Sequence, residues 1–562
     1  MLSLISTMCR CTAVFAMVAV FTSGVTADDG AYSVEPSPGR VLASGQASDT
    51  TVTIDSGVID GAVSEGILSF KGVPFAAPPV GDLRWRAPQP VTPWTGVRRA
   101  TEYGQDCLQV PLRTDAAAAG TTFSEDCLVL NVWRPAAIAA GERLPVMMWI
   151  HGGGYVNGGT SPAIYNGSEI ARHGILFVSA NYRLGRFGFF AHPALIAANE
   201  GPVGNFAYMD QIAALQWVKR NAAAFGGDAA QVTVVGESAG GDALIHLITS
   251  PEGRGLFHRA VVMSGDGRSH LIGGLPLTGG TTHKPSADQV GVNFAASVGI
   301  DGDGPDTLRA LRALTAEQVR DDVNMLYLLN RLRPGAGPLT YANGTIVDGH
   351  IVLDSPGEML QRGEAVRIPI MIGTTANDLP IRLPPLIDPL SYFGEEAPRA
   401  RALYDPEATL TSPQLIFTVG ADITMHEPAR FVAQQMTASG SPAWLFRYDY
   451  VAESLRATTR HAAHASEIPF FFDTIDARYG SHVTAADRAA TRLLSTYLVN
   501  FVKSGDPNGR GVPAWPRVDR SRPTLMLFTS DRGPVFGRDP WAERLDLVER
   551  AAQRRSTNES PQ

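Results

Sequence analysis

The 562-residue chain has few cysteines, no surplus of positive charge and, beyond its first residues, no long hydrophobic run. Only 18% of its residues are charged, and acidic residues outnumber basic ones by 55 to 47, for a net charge of −8. Proteins that bind the nucleic-acid backbone are normally basic, so this composition argues against nucleic acid as a partner. No later segment reaches the roughly 18 consecutive apolar residues of a membrane span. With 44% hydrophobic residues the chain can build a large core.

The first 27 residues have the pattern of a signal peptide. Arg10 precedes an uncharged apolar stretch, Thr12 to Phe21, which is shorter than the roughly 20 residues that a bilayer requires. Ala27 ends a small-residue exit site, so we expect cleavage after it and a secreted or periplasmic mature protein. The alternatives are an uncleaved anchor, a wrongly assigned start of the chain and a lipid on Cys11, although the small residues that normally precede a lipid-modified cysteine are missing.

Four cysteines are present, and cleavage would leave two of them, Cys107 and Cys127, 20 positions apart. In an oxidising compartment such a pair predicts a disulfide. A catalytic cysteine is the competing interpretation, but neither residue has a nearby His or Lys to lower its thiol pKa. Two cysteines without partner histidines also argue against a zinc site.

Short apolar runs rich in Val and Ile recur from about residue 140, as expected for strands covered on both faces. They are Leu144–Ile150, Ile175–Ala180, Gln231–Val235, Arg259–Met263, Ile368–Ile372, Ala443–Tyr448 and Thr524–Phe528. Helical patterns such as Asp210–Asn221 and Ala239–Thr249 separate several of them. The alternation predicts the α/β class, with a mostly parallel central sheet and helices on both faces.

The remaining segments have different patterns. Residues 28–48 are polar and predict a loose lead-in, whereas residues 49–69 alternate like antiparallel edge strands. Residues 266–360 and 380–440 lack strand periodicity and predict helical cap insertions and loops around a pocket. Residues 546–562 predict a polar tail that frays.

The sequence Gly236-Glu237-Ser238-Ala239-Gly240 lies between a predicted buried strand and a predicted helix. A serine at such a sharp strand-to-helix turn has an exposed hydroxyl, and flanking glycines avoid clashes there. The helix N-terminus that follows favours developing negative charge. Ser238 is therefore the predicted nucleophile, with a purely structural turn as the alternative.

A second glycine run follows the strand that ends at Ile150, in the sequence His151-Gly152-Gly153-Gly154-Tyr155. Consecutive glycines let main-chain N–H groups point into one cavity. We expect Gly153, Gly154 and Ala239 to donate to the oxyanion of a tetrahedral intermediate. A flexible turn is the alternative.

With these motifs the chain resembles the type-B carboxylesterases, the cholinesterase-like branch of the α/β hydrolases. The resemblance covers residues 49–545 and rests on several segments in the family's order. They are Lys71 to Trp85, Glu125-Asp126-Cys127-Leu128, Asn181-Tyr182-Arg183, Phe225-Gly226-Gly227-Asp228 through Gly240, Leu256 to Gly265, Gly505-Asp506-Pro507-Asn508 and Trp515-Pro516. The resemblance implies an α/β-hydrolase fold and a serine esterase that needs no metal or cofactor.

The resemblance also implies the two partners of Ser238. The family's histidine lies in a His-x-x-Glu segment before aromatic residues, which here is His464 with Glu467; His461 is the internal competitor. The acidic residue follows a strand, where Asp378 occupies the usual position of a glutamate. An aspartate can perform this role, because it need only orient the imidazole and offset its charge. Asp348 and Glu467 are the alternative acids.

Two features depart from the family. Asp242 stands just after the serine motif where a small residue is usual, and we expect it to pair with a nearby arginine or else to raise the pKa of His464. The segment 108–126 lacks the Trp or Tyr that would bind a quaternary ammonium, which argues against choline esters. Arg331, Arg333 and Arg382 could meet a carboxylated substrate, although surface charge is the commoner role.

The sequence thus predicts a secreted serine carboxylesterase that acts on a small-molecule ester, either a simple aryl or alkyl ester or a specialised xenobiotic or toxin ester. The alternative from another functional class is a non-catalytic, cholinesterase-like adhesion or binding module. Such modules typically lose the serine or the histidine, and here all three positions of the triad are filled.

Overall fold

The computed structural model describes residues 50–112, 117–268, 270–271, 273–281, 285–325, 327, 337–379 and 388–559. The predicted signal peptide and the whole lead-in, residues 28–48, lie outside these residues, as do Arg331, Arg333 and Arg382. In the described part of the chain, no helix combines the length and the apolar character needed to cross a bilayer.

The strands of the described residues include short pairs as well as long central strands. In chain order they are β1 (Thr51–Ile54), β2 (Gly57–Asp60), β3 (Ala62–Ser64), β4 (Ile67–Pro74), β5 (Val97–Arg99), β6 (Asp106–Cys107), β7 (Phe123–Ser124), β8 (Val129–Pro135), β9 (Leu144–Ile150), β10 (Leu176–Ala180), β11 (Phe189–Phe190), β12 (Gly204–Asn205), β13 (Gly227–Glu237), β14 (Arg259–Met263), β15 (Gly273–Pro276), β16 (Thr345–Val347), β17 (Ile370–Thr375), β18 (Ala443–Asp449), β19 (Thr524–Thr529) and β20 (Gly533–Arg538).

The α-helices of the described residues range from one turn to five. In chain order they are α1 (Ser168–Arg172), α2 (Gly185–Gly188), α3 (Pro193–Ala198), α4 (Phe206–Asn221), α5 (Ala239–Thr249), α6 (Ala287–Ser297), α7 (Pro305–Arg312), α8 (Ala316–Arg320), α9 (Pro356–Gln361), α10 (Ala397–Tyr404), α11 (Ser412–Ala421), α12 (Glu427–Ala438), α13 (Ile468–Phe471), α14 (Ile475–Tyr479), α15 (Ala485–Ser504) and α16 (Ala542–Glu559).

A central sheet of 11 strands organises the molecule, in the order β20-β19-β18-β17-β14-β13-β9-β10-β8-β4-β3. Its middle strands, from β19 to β10, are all parallel, and they coincide with the apolar runs that predicted buried strands. Antiparallel strands flank them on both sides, β20 on one edge and β8, β4 and β3 on the other. The predicted fold class is confirmed.

Alternate residues of β9 enter different hydrophobic clusters, which shows that both faces of the sheet are covered. Val146 and Met148 pack in a cluster that includes Leu215 of α4. Met147 and Trp149 pack in the cluster on the other face, which includes Leu498 of α15. The near-continuous apolar strands therefore follow from burial on both sides.

Two expectations about the periphery need correction. The cap segments are largely helical as predicted, but they also contain the β15–β16 pair, which the sequence pattern did not indicate. The predicted polar tail from 546 is wrong, because α16 runs to Glu559 and buries Leu547, Val548 and Ala551 against α10 and α11. The apolar residues of this helix recur every three or four positions and give it a buried face.

Candidate active site

Ser238 lies on the turn between β13 and α5, at the carboxyl end of the parallel strands. Its backbone has φ 54° and ψ −124°, a strained conformation for a residue with a side chain. A Cβ on Gly236 would come within 2.3 Å of the Gly240 carbonyl oxygen, and a Cβ on Gly240 within 2.2 Å of that of Ile150. Close backbone packing therefore requires both glycines, and it holds Ser238 at the sheet edge with 7% of its surface exposed.

His464 and Asp378 are brought together from segments 86 positions apart, with His464 Nδ1 2.6 Å from Asp378 Oδ1. Asp378 follows β17 and is fully buried. Its Oδ1 also accepts from the Leu379 N–H at 2.8 Å, and its Oδ2 accepts from the Ser264 hydroxyl at 2.6 Å and the Thr375 N–H at 3.1 Å. This set of donors fixes the carboxylate and, through it, the imidazole ring.

The other ring nitrogen of His464 faces the serine turn. His464 Nε2 lies 3.1 Å from Oε1 of Glu237, the residue that precedes Ser238. Burial alone would lower the pKa of His464, but Glu237 and Asp378 outweigh it and raise the pKa to about 9. Burial would likewise raise the pKa of Asp378, but His464 and the hydrogen bonds bring it down to about 2. The pair thus favours imidazolium beside carboxylate.

Glu467 adds a third buried carboxyl to this cluster. It is fully buried, and neither of its oxygens has a hydrogen-bond partner among the described residues. Burial and the neighbouring Glu237 raise the pKa of Glu467 well above its ordinary value. Its surroundings therefore favour the protonated form of Glu467, and the structure places it near His464 but gives the hydrogen bond on His464 Nδ1 to Asp378.

The other candidates of the sequence analysis lie elsewhere. His461, the competitor for the histidine position, is half exposed and contacts Asp449, with Nδ1 3.0 Å from Oδ2. Asp348, an alternative acid, lies in the cap, where its Oδ1 accepts from the N–H groups of residues 350 to 352 at 2.9 Å. Neither residue joins the His464 cluster.

The glycine run after β9 packs directly beside the serine turn. A Cβ on Gly152 would meet the Ser238 Cβ at 2.9 Å, and one on Gly153 the Asn157 carbonyl oxygen at 2.2 Å. Gly153 and Gly154 have φ values of 104° and 60°, which favour glycine. Within the described part of the chain, the amides of Gly153, Gly154 and Ala239 donate to no protein acceptor. The glycine loop thus packs against the serine turn, and these three amides have no backbone acceptor within the described residues.

Among the contacts of the described residues, Asp242 has no arginine partner, so the expected ion pair is not found there. The buried carboxylate instead accepts from the Tyr155 hydroxyl at 2.6 Å and from the Leu271 N–H at 3.2 Å, and His246 Nε2 lies 3.8 Å from its Oδ1. The sequence could not show this because Tyr155 is 87 positions away and meets Asp242 only through the fold.

Cys107 and Cys127 form the predicted disulfide, with a Cα–Cα distance of 4.9 Å. Both residues are buried in the core. No group of His, Cys, Asp and Glu side chains within the described ranges has the arrangement of a metal site.

Sequence reasoning missed two members of the cluster. Ser264 lies in the family-like segment Leu256 to Gly265, and its position directly after the parallel strand β14 is the signal that could have placed it at this sheet edge. Glu237 was read only as the variable position of the serine motif, although its position next to Ser238 put its carboxylate near the reacting groups.

Comparison with known proteins identifies the family of the chain. A model of the carboxylesterase family matches residues 48–393 and 403–538. The chain belongs to the carboxylesterase family. It is 32% identical to a fumonisin B1 esterase of Sphingopyxis macrogoltabida over 86% of this chain and 87% of that protein. It is also 32% identical to the para-nitrobenzyl esterase of Bacillus subtilis over 88% of this chain and 97% of that protein.

Solved structures agree as well. A PNB esterase structure superposes with a TM-score of 0.73 at 29% identity, covering 89% of this chain and 100% of that one. The predicted family and activity class are therefore confirmed: this carboxylesterase-family protein is a carboxylic ester hydrolase with the α/β-hydrolase fold.

Proposed function

We propose that this carboxylesterase hydrolyses small carboxylic esters through an acyl-enzyme on Ser238, with His464 as general base and Asp378 as its orienting acid. The observation that supports this most strongly is the 2.6 Å contact between His464 Nδ1 and Asp378 Oδ1. It fixes the tautomer in which Nε2 is the basic nitrogen, and Nε2 is the nitrogen that faces the Glu237–Ser238 turn.

The proposed reaction has two half-reactions. His464 Nε2 takes the Ser238 proton as Oγ attacks the ester carbonyl, and the amides of Gly153, Gly154 and Ala239 bind the resulting oxyanion. The tetrahedral intermediate collapses, the alcohol leaves with the proton from the imidazolium, and the acyl group remains on Ser238. Water then attacks the acyl-enzyme with its proton passing to His464. The bond between the acyl carbon and Ser238 Oγ breaks, Oγ takes the proton back from His464, and the carboxylic acid is released.

The family and the two named relatives support small carboxylic esters as the substrate class. One relative is named for a para-nitrobenzyl ester and the other for fumonisin B1, so the tests include simple aryl esters as well as a large toxin ester. An ester panel that varies acyl length and charge should rank neutral aryl and alkyl esters above choline esters, because residues 108–126 contain no Trp or Tyr.

The experiment that tests the nucleophile compares two serine substitutions. Ser238→Ala should abolish p-nitrophenyl acetate hydrolysis and labelling by a fluorophosphonate. Ser441→Ala is the matched control, since Ser441 is also buried and its hydroxyl has no hydrogen-bond partner within the described residues. Retention of both hydrolysis and labelling in Ser238→Ala would contradict the proposal.

We also propose that the protein is exported and cleaved after Ala27. The charged start, short apolar stretch and small-residue exit of residues 1–27 support this, and a buried disulfide suits an oxidising compartment. N-terminal sequencing of the protein secreted by its host should begin at Asp28. A mature chain that still begins at Met1 would contradict it.

A further inference from the structure

The first turn of α5 contains a fully buried carboxylate that the proposed reaction does not use. Asp242 lies one helical turn after Ser238 and is 0% exposed. Its Oδ2 accepts a hydrogen bond of 2.6 Å from the hydroxyl of Tyr155, and its Oδ1 accepts one of 3.2 Å from the Leu271 N–H. Hydrogen bonds to a buried charged group are strong, and removal of one partner destabilises the protein because the other is left buried without a hydrogen bond.

Tyr155 continues the glycine run that holds two of the proposed oxyanion donors. Gly153, Gly154 and Tyr155 have consecutive φ values of 104°, 60° and 61°. A tyrosine in this conformation is strained, and such backbone persists only where its surroundings impose it. The strain therefore points to specific contacts that fix this loop.

The contacts of Tyr155 fix both its backbone and its side chain. The Gly185 N–H donates to the Tyr155 carbonyl at 2.7 Å. The fully buried ring packs edge-on against Phe189, with the ring centres 4.9 Å apart. At the end of the ring, the hydroxyl reaches Asp242 and also lies 2.9 Å from the Tyr208 hydroxyl.

The bond between Tyr155 and Asp242 joins the two parts of the donor set. Ala239, the third donor, begins the helix that contains Asp242, whereas Gly153 and Gly154 precede Tyr155 in the loop after β9. We propose that Asp242 is a positioning residue for the oxyanion site, which acts through Tyr155 to hold the Gly153–Gly154 amides in register with the Ala239 amide. This inference rests on the proposed function.

The same cluster extends from the oxyanion loop to the cap. The Tyr208 hydroxyl lies 2.6 Å from Thr345 Oγ1 at the start of β16, and Leu271 precedes β15. The β15–β16 pair of the cap is therefore tied to the loop through Tyr208, Asp242 and Tyr155. Through these contacts, a displacement of the cap relative to the sheet would move the loop that contains the Gly153 and Gly154 amides.

The test compares Tyr155→Phe, Asp242→Asn and the double substitution. Loss of the hydrogen bond between Tyr155 and Asp242 should leave KM near the wild-type value and lower kcat about 10-fold or more. Misplaced N–H donors stabilise the transition state less, whereas binding of the substrate in its ground state changes little. The inhibition constant of a trifluoromethyl ketone, whose adduct with serine has an oxyanion, should rise by the same factor. Asp242→Asn keeps one acceptor oxygen and so weakens the bond rather than removing it, and its effect should be no larger than that of Tyr155→Phe. The double variant should resemble Tyr155→Phe, since no tyrosine hydroxyl is left to bind.

Tyr404→Phe is the matched control. Tyr404 also donates a buried hydrogen bond to an aspartate, with its hydroxyl 2.7 Å from Asp422 Oδ2, but it lies in the cap helix α10. It should leave kcat and the inhibition constant unchanged. All rates are divided by the fraction of active enzyme measured by fluorophosphonate titration, so that partial misfolding is not mistaken for a catalytic effect. If Asp242→Asn does not fold, the result for Tyr155→Phe alone decides the test.

The outcomes separate this inference from the proposed function. Wild-type protein without esterase activity, or a fully active Ser238→Ala variant, would overturn the proposed function. An active wild type whose Tyr155→Phe variant keeps both the kcat and the trifluoromethyl ketone affinity would overturn the positioning role alone. A fall in kcat with unchanged affinity for the ketone would overturn it as well.

Discussion

Asp378→Asn is the substitution that most directly probes how the imidazole is held. The two side chains have nearly the same shape, but an amide supplies one acceptor oxygen where the carboxylate supplies two. In the structure each oxygen of Asp378 accepts one main-chain N–H, from Leu379 on Oδ1 and from Thr375 on Oδ2. Either orientation of the amide therefore places an NH₂ group against an N–H donor.

The magnitude follows from these contacts. One buried N–H left without an acceptor costs about 1–3 kcal/mol of unfolding free energy. If the NH₂ group faces His464, the ring must adopt the wrong tautomer, and serine hydrolases lose up to ~10⁴ in kcat from this change. If it faces Ser264, the tautomer survives and only the charge is lost. We therefore expect a loss in kcat between about 10² and 10⁴.

The assay is the pH dependence of kcat/KM for p-nitrophenyl acetate, normalised by fluorophosphonate titration. Loss of the Asp378 charge should also move the apparent pKa of His464 below its value of about 9 in the wild type, because Asp378 is one of the groups that raise it. Asp348→Asn is the control, since Asp348 also accepts main-chain N–H groups but in the cap. A near-wild-type rate with an unshifted pKa in Asp378→Asn would refute the reasoning.

Three further predictions concern charge and covalent structure. The pKa of His464 is raised to about 9, and only the neutral ring accepts the serine proton, so kcat/KM should rise with pH through about 9. Glu237→Gln should move this rise to lower pH, because Glu237 is one of the groups that raise the pKa of His464. A profile that is flat between pH 6 and 10 would contradict this prediction. The pKa of Glu467 is raised in the folded protein, so its contribution to stability is complete below its unfolded pKa and is lost as pH rises. Above about pH 4.5 the unfolding free energy of the wild type should therefore fall relative to that of Glu467→Gln. Urea titrations in which the two unfolding free energies keep a constant difference across pH would contradict this prediction. Replacement of both Cys107 and Cys127 by serine should lower the unfolding free energy by about 3 kcal/mol without a change in kcat, and equal stability in the two proteins would show that the bond contributes nothing.

Local patterns in the sequence were sufficient for the central sheet and the serine turn. A strand such as β14 (Arg259–Met263) is recognisable because burial on both faces leaves an uninterrupted apolar run. The turn at Ser238 is recognisable because Gly236 and Gly240 flank the serine between a strand pattern and a helix pattern, although the contact that requires Gly240 is with the distant Ile150 carbonyl. His464 and Asp378 needed the resemblance to a family, since nothing in their own neighbourhoods shows that they meet.

Contacts between distant segments account for what the sequence did not reveal. The sequence predicts that Asp242 pairs with an arginine, whereas the described residues supply the hydroxyl of Tyr155, from the loop after β9. Glu467 looked like part of a motif, and only the structure shows its carboxyl next to that of Glu237. The helix at the end of the chain is different, because a local pattern could have predicted it: Leu545 and Val548 are three positions apart and both buried.

The most direct test of the central claim is to trap the acyl-enzyme and locate the acyl group. Wild-type protein mixed with p-nitrophenyl acetate, quenched in acid during the first turnover and digested, should contain one acetyl group on the peptide that includes Ser238. The His464→Ala variant should give far less of this species in the same time. Acetylation of any other residue, or full turnover with no acylated Ser238 at any quench time, would contradict the account.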